Sequence, residues 1–202
     1  MIRKISEKIL NYLINSKVIS DTEDNRGFYQ YGIEITISSL LNIVLILCIG
    51  ILTHSISESM IFLVCFILLR QFTGGFHADT YFKCNLSFCI VFSIVLVLYY
   101  TTVQYLSTYI SILLTFVCVS IILAKCPIEH INKPIPKNRK IIHKILAALL
   151  GTVYGAVGTV LTAFSNRYGA LIIYTLSLVT VLVLVAIIKE RWDNHESNKE
   201  NK

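Results

Sequence analysis

The sequence predicts an all-α integral membrane protein with about six transmembrane helices, an N-terminal amphipathic helix at the interface, and both termini in the cytosol. Three observations predict it. First, only 15% of the 202 residues are charged while 55% are hydrophobic, with a mean hydropathy of +0.69; a soluble domain carries about a quarter charged residues. Second, the apolar residues gather in blocks of about 16–21, long enough to cross a bilayer as helices. Third, Lys and Arg fall almost entirely on alternate connections between those blocks. Together these exclude a soluble enzyme and a disordered chain, and the length permits one domain or two at most.

The elements follow in order. In residues 1–32, Ile2, Ile5, Ile9 and Leu13 recur every three or four residues, with Arg3, Lys4, Glu7, Lys8 and Asn11 on the other face. Such a stripe suits the membrane surface, or a cytosolic helix packed on the protein itself. Six spans are expected at roughly Ile33–Thr53, Ile56–Phe72, Leu86–Val103, Leu106–Ala124, Ile145–Phe164 and Gly169–Ile188. The chain thus divides into a cytosolic or interfacial segment, 1–32, a six-span membrane domain, 33–188, and a polar tail, 189–202. The tail is expected to be disordered, with Trp192 as an interfacial anchor.

Charge gives the orientation. Lys and Arg number five in residues 1–32, two in 70–85, six in 125–144 and four in 189–202, and Arg167 alone lies on the other side. The positive-inside rule puts both termini and the connections 70–85 and 125–144 in the cytosol. The net charge of +6 does not point to nucleic acid, because no basic face interleaved with aromatics occurs in a soluble segment. The six cysteines (48, 65, 84, 89, 118 and 126) have neither CxxC spacing nor the density of a secreted disulfide scaffold. Most sit in apolar blocks and read as small hydrophobes. No cleavable signal peptide is expected, since the first 32 residues lack an apolar h-region.

Two patterns bear on partners. Ala147, Gly151 and Gly155 recur every four residues, with Gly158 beyond, so that helix can approach a neighbour closely, within one subunit or between two. The basic connection Lys125–Lys140 is either a solvated topology determinant near anionic headgroups or a docking site for an acidic partner segment.

The place for chemistry is the end of the second span. The apolar run Met60–Leu69 is followed directly by Arg70-Gln71-Phe72-Thr73-Gly74-Gly75-Phe76-His77-Ala78-Asp79, and Cys84 lies seven residues past His77. Charged groups at a membrane boundary are costly unless they line a cavity or reach water. A cytosolic cysteine stays reduced, and a neighbouring imidazole can take its proton to leave the reactive thiolate. On one continuous helix Arg70, His77 and Cys84 would share a stripe, but His77 and Cys84 would stand about 10.5 Å apart along the axis. Proton transfer needs about 3 Å. Residues 74–85 are therefore expected not to form one straight helix, with Gly74-Gly75 supplying the backbone freedom. Plainer readings stand beside this one: an interfacial histidine and a small buried cysteine, a glycine helix cap, or His77, Asp79 and Cys84 as an incomplete metal site.

The stretch from Arg70 to Ala78 followed by Cys84 resembles the accessory gene regulator B (AgrB) family of bacterial membrane endopeptidases in peptide quorum sensing. Chain length, the polar amphipathic N-terminus, about six spans and the basic central loop are similar too, so the resemblance covers essentially the whole chain. It implies a cysteine endopeptidase of the bacterial cytoplasmic membrane, its catalytic residues on the cytosolic side, with Cys84 as nucleophile and His77 as base. Arg70 and Gly75 would support activity. The implied substrate is an amphipathic, AgrD-like propeptide on the inner leaflet, cleaved from its acidic C-terminal tail through a thioester acyl-enzyme. A substrate cysteine or serine then closes a thiolactone or lactone. No cofactor, metal or nucleic acid is implied; a homodimer is a family-level expectation, weakly encouraged by the glycines of the fifth span. Lys125, Lys133, Lys137, Arg139 and Lys140 could attract the acidic tail. The rival readings are a small peptide transporter or permease, in which Arg70 lines a route and Cys84 is incidental, and a non-catalytic membrane scaffold. No internal repeat or pair of broken helices favours the transporter.

Overall fold

The computed structural model describes residues 2–16, 18–19, 22–74, 80–128 and 137–200, with backbone only for 23–25, 137–138, 190–191 and 193–200. His77, Gly75, Asp79 and Lys133 lie outside the described residues. The helices are α1 (Ile2–Asn15), α2 (Glu23–Leu52), α3 (Ile56–Thr73), α4 (Tyr81–Thr102), α5 (Thr108–Lys125), α6 (Lys137–Ala163) and α7 (Arg167–Glu200), with a 3-10 turn at Val103–Tyr105. Among the described residues there is no strand. Six of the helices, α2 to α7, are long and apolar enough to cross a membrane, so the chain is an all-helical, multi-pass membrane protein.

The helices outrun the apolar blocks. α2 begins ten residues before Ile33, α4 begins at Tyr81 rather than Leu86, and α6 begins at Lys137 within the basic connection. Hydropathy marks the depth of the hydrocarbon, whereas a helix continues into the headgroup zone because its backbone bonds remain satisfied there. By the same logic α7 runs on to Glu200 through the tail expected to be disordered, where Lys, Glu and Arg are good helix formers.

α1 packs on the protein itself, one of the two readings of its stripe. Ser6 and Leu10 are buried against the protein, while Ile5 and Ile9 on the neighbouring edge are each 39% exposed. α7 is the inner helix of the bundle. It packs against α3, α4, α5 and α6, and Leu171, Ile173, Leu176, Val179 and Val183 on it are buried. Between α3 and α4, the rings of Phe62, Phe66, Phe88 and Phe92 pack with neighbouring centroids 4.8 to 5.8 Å apart. Val44, Val64, Val97 and Phe116 stay exposed, as lipid-facing side chains should.

The small-residue stripe of α6 is used inside the subunit. A Cβ on Gly151 would stand 3.3 Å from Ile122, one on Gly155 would run into Thr115, and one on Gly158 would meet Ile173 at 2.9 Å. Close approach of α6 to α5 and α7 consumes these glycines, so the encouragement they gave to a dimer contact is removed.

Candidate active site

The site forms where α3 ends and α4 begins. α3 stops at Thr73, and Gly74 caps it at φ 67°, ψ −152°, a conformation that costs any residue with a Cβ dearly. The amide of Gly74 donates to the carbonyl of Arg70 at 3.2 Å. In return, Nη1 of Arg70 donates to the carbonyl oxygen of Gly74 at 2.7 Å. The guanidinium is thereby folded back over the end of its own helix, and the Gly74 carbonyl accepts from the Thr73 hydroxyl as well, at 3.3 Å.

The chain leaving α5 is stitched onto this cap. The amide of Ile128 donates to the carbonyl of Thr73 at 3.0 Å, and Ile128 and Gly74 form an isolated parallel bridge. A Cβ on Gly74 would collide with the Ile128 carbonyl oxygen. Close backbone approach and positive φ thus both require glycine here. Cys126, two residues before Ile128, is buried at 5% exposure.

α4 opens with Thr80 in an extended conformation, its hydroxyl accepting from the amide of Lys83. The amide of Cys84 donates to the Thr80 carbonyl at 3.0 Å, which places Cys84 in the first turn of α4, half-buried. Because both Gly74 and Thr80 are non-helical, no straight helix joins Arg70 to Cys84, as the spacing argument requires. Instead the fold returns α4 beside α3, and the Arg70 guanidinium lies within electrostatic reach of the thiols of both Cys84 and Cys126.

The two cysteines differ in burial, Cys126 being buried and Cys84 half-buried. Burial pushes the Cys126 thiol up to about 11, against the opposing pull of Arg70, so below that pH it is held as the neutral thiol. At pH 7–8 Cys126 is expected to react with iodoacetamide more slowly than Cys84. Peptide-resolved mass spectrometry reads the two rates, and faster reaction at Cys126 would contradict this assignment.

The basic residues gather at the same end. Lys125 is exposed at the last position of α5; Arg139 is exposed and Lys140 half-buried in the first turn of α6. One turn on from Arg139, His143 meets Phe72 of α3 edge-on with centroids 5.7 Å apart, which docks the start of α6 beside the end of α3. The Lys137 side chain and all of Lys133 lie outside the description. No three His, Cys, Asp or Glu side chains among the described residues converge as metal ligands, and two of the candidate ligands, His77 and Asp79, are not among them.

Sequence reasoning brought Arg70 and Cys84 forward but missed Ile128 and Cys126, which come from a distant connection. It also missed Glu34, Ser38, Tyr81 and Asn85. Glu34 donates nothing and accepts from Tyr81, while Ser38 donates to Asn85. An acidic residue inside an apolar block was the available signal.

Comparison with known proteins decides the family. The family model described as Accessory gene regulator B matches residues 6–187. The chain belongs to the AgrB family. An AgrB-like protein of Clostridium perfringens strain SM101 is 29% identical over 146 residues, covering 69% of this chain and 67% of its own. A second, from strain 13, is 29% identical over 145 residues with the same coverage. Protein FsrB of Enterococcus faecalis is 30% identical over 87 residues, 42% of this chain and 36% of that protein. No solved structure matches the chain significantly. AgrB membership carries a quorum-sensing-related role in the membrane, in a family associated with propeptide processing.

Proposed function

We propose that the protein is a cysteine endopeptidase that cleaves the C-terminal tail from an amphipathic, AgrD-like propeptide and promotes cyclisation of the remainder. The observation that carries this reading is Cys84 in the first turn of α4 with the Arg70 guanidinium in electrostatic reach. The N-terminal end of α4 and the guanidinium both present positive potential where a thiolate would sit. In this reading the site faces the cytosol, as the charge asymmetry of the connections supports.

The Cys84 sulfur attacks the carbonyl carbon at the tail boundary, forming a C–S bond. The C–N bond breaks, His77 gives its proton to the departing amine, and a thioester acyl-enzyme remains. A cysteine thiol within the substrate then attacks that thioester, closing a thiolactone and returning the proton and the free thiol to the enzyme; a serine closes a lactone instead. Thioester exchange is nearly isoenergetic, so cyclisation outruns hydrolysis only where water is scarce and the second nucleophile is tethered. A boundary site at the inner leaflet provides both. Arg70, or backbone N–H groups near Gly75, stabilise the oxyanion.

Lys125, Lys133, Lys137, Arg139 and Lys140 attract the acidic tail. Exchanging them for glutamine is expected to raise KM several-fold at low salt with kcat unchanged, an effect that fades as salt screens the charges. Steady-state kinetics in liposomes check this, and an unchanged KM would remove the role.

The reading itself is tested by incubating a propeptide encoded beside the gene with the protein in liposomes and weighing the products. The expected products are the free tail and a macrocycle one water lighter than the linear remainder. Uncleaved propeptide, with transport of it across the bilayer, would favour the permease instead.

A further inference from the structure

We infer that a two-rung polar ladder between α2 and α4, Glu34–Tyr81 and Ser38–Asn85, positions the nucleophilic Cys84; this rests on the cysteine-endopeptidase reading and names positioning residues for it. The Tyr81 hydroxyl donates to Oε2 of Glu34 at 2.8 Å, and the Ser38 hydroxyl donates to Oδ1 of Asn85 at 2.8 Å. Glu34 and Ser38 are one turn apart on α2, and Tyr81 and Asn85 are one turn apart on α4, so the rungs stack along one seam. Ser38 and Asn85 are buried. Glu34 is secured further, with Oε1 accepting from the Ser6 hydroxyl at 3.0 Å and from Nε2 of Gln30 at 3.2 Å. Its carboxylate therefore joins α1, α2 and α4.

Cys84 lies between the rungs in sequence and about 60° round the helix from Tyr81. The first turn of a helix is its weakest, because its amides lack intrahelical acceptors. Two off-axis bonds, one before and one after Cys84, fix both the height and the rotation of that turn. A rotation of about 20° would carry a sulfur about 5 Å from the axis by roughly 2 Å, and a misplacement of about 1 Å can cost a hundredfold in rate. Polar pairs at this membrane boundary have few alternative partners, so the register they select is not readily exchanged for another. The ladder holds the sulfur within electrostatic reach of Arg70 rather than stabilising the bundle in general, whose core lies along α7.

The test uses full-length Tyr81→Phe, Ser38→Ala, the double variant and Ser38→Thr in liposomes. Peptide-resolved iodoacetamide alkylation of Cys84 is measured beside propeptide cleavage. Each single variant is expected to lower kcat about five- to tenfold and the double variant further, with KM unchanged. The Cys84 alkylation rate should shift in parallel, and Ser38→Thr, which keeps the hydroxyl, should restore both. Should the double variant fail to fold, the single variants decide. A lowered thermal midpoint with the Cys84 alkylation rate and kcat unchanged would overturn the inference, because a purely structural seam would give that result. If even the wild type cleaved nothing, the function reading would fall, while Cys84 alkylation would still report whether the ladder positions the thiol.

Discussion

Cys84→Ala is expected to lower propeptide cleavage by at least about a thousandfold, and His77→Ala to do nearly the same. Removing a covalent nucleophile leaves only binding and oxyanion stabilisation, and members of a nucleophile–base unit fail together rather than additively. The loss must be chemical and not structural. Cys84 is half-buried in the first turn of α4, outside the apolar core that α7 and the four phenylalanines build. Truncation there exchanges one sulfur for a small gap, a cost of about 1 kcal/mol. The thermal midpoint in detergent should therefore stay within a few degrees of wild type. A variant carrying both Cys84→Ala and His77→Ala should be no worse than Cys84→Ala alone. Cleavage rates measured in liposomes, with the midpoint as control, decide the matter. Undiminished cleavage in either variant would remove that residue from the mechanism.

Gly74→Ala is expected to be the most damaging substitution of a residue that does no chemistry. Its φ of 67° with ψ of −152° falls in a region essentially confined to glycine, at a cost of about 1–3 kcal/mol for another residue. The added methyl would also enter the space of the Ile128 carbonyl oxygen, and overpacking of that kind costs about 1–3 kcal/mol more. Strain can be relieved by rotating Gly74 or by releasing Ile128. Rotation moves the carbonyl that Arg70 holds at 2.7 Å, and release frees the α5–α6 connection from the cap. Either way the guanidinium shifts relative to Cys84, which lies within its electrostatic reach. Cleavage should fall about a hundredfold or more, with a clear drop in thermal midpoint. Wild-type cleavage by Gly74→Ala would show that the Gly74–Ile128 bridge does not support the site.

The spans were legible because hydrocarbon depth writes itself directly into hydropathy. Their ends were not legible, since α4 and α6 begin among polar residues where hydropathy is silent. That mattered at Tyr81–Asn85, which the hydropathy reading left in a loop and the fold makes the first turn of α4. Arg70 and Cys84 were legible as chemistry out of place at a membrane boundary. The partnership of Gly74 with Ile128, 54 positions away, has no local signature, because backbone-to-backbone pairing is blind to side-chain type. Glu34 carried a readable signal, an acid one position into an apolar block, but its partners Tyr81 and Ser6 come from other helices. The stripe of Gly151, Gly155 and Gly158 announced close packing correctly without saying which helix would fill it.

The proposed mechanism turns on covalent acylation of Cys84. The most direct measurement mixes wild-type protein in liposomes with propeptide whose internal cysteine is replaced by alanine, so that no cyclising thiol is present. The reaction is quenched in acid at short times and the peptides containing Cys84 are weighed. Acylation of Cys84 predicts a peptide heavier by the N-terminal part of the propeptide, cleaved by hydroxylamine as a thioester is, and absent from Cys84→Ala. Release of the tail at the wild-type rate by Cys84→Ala would contradict it.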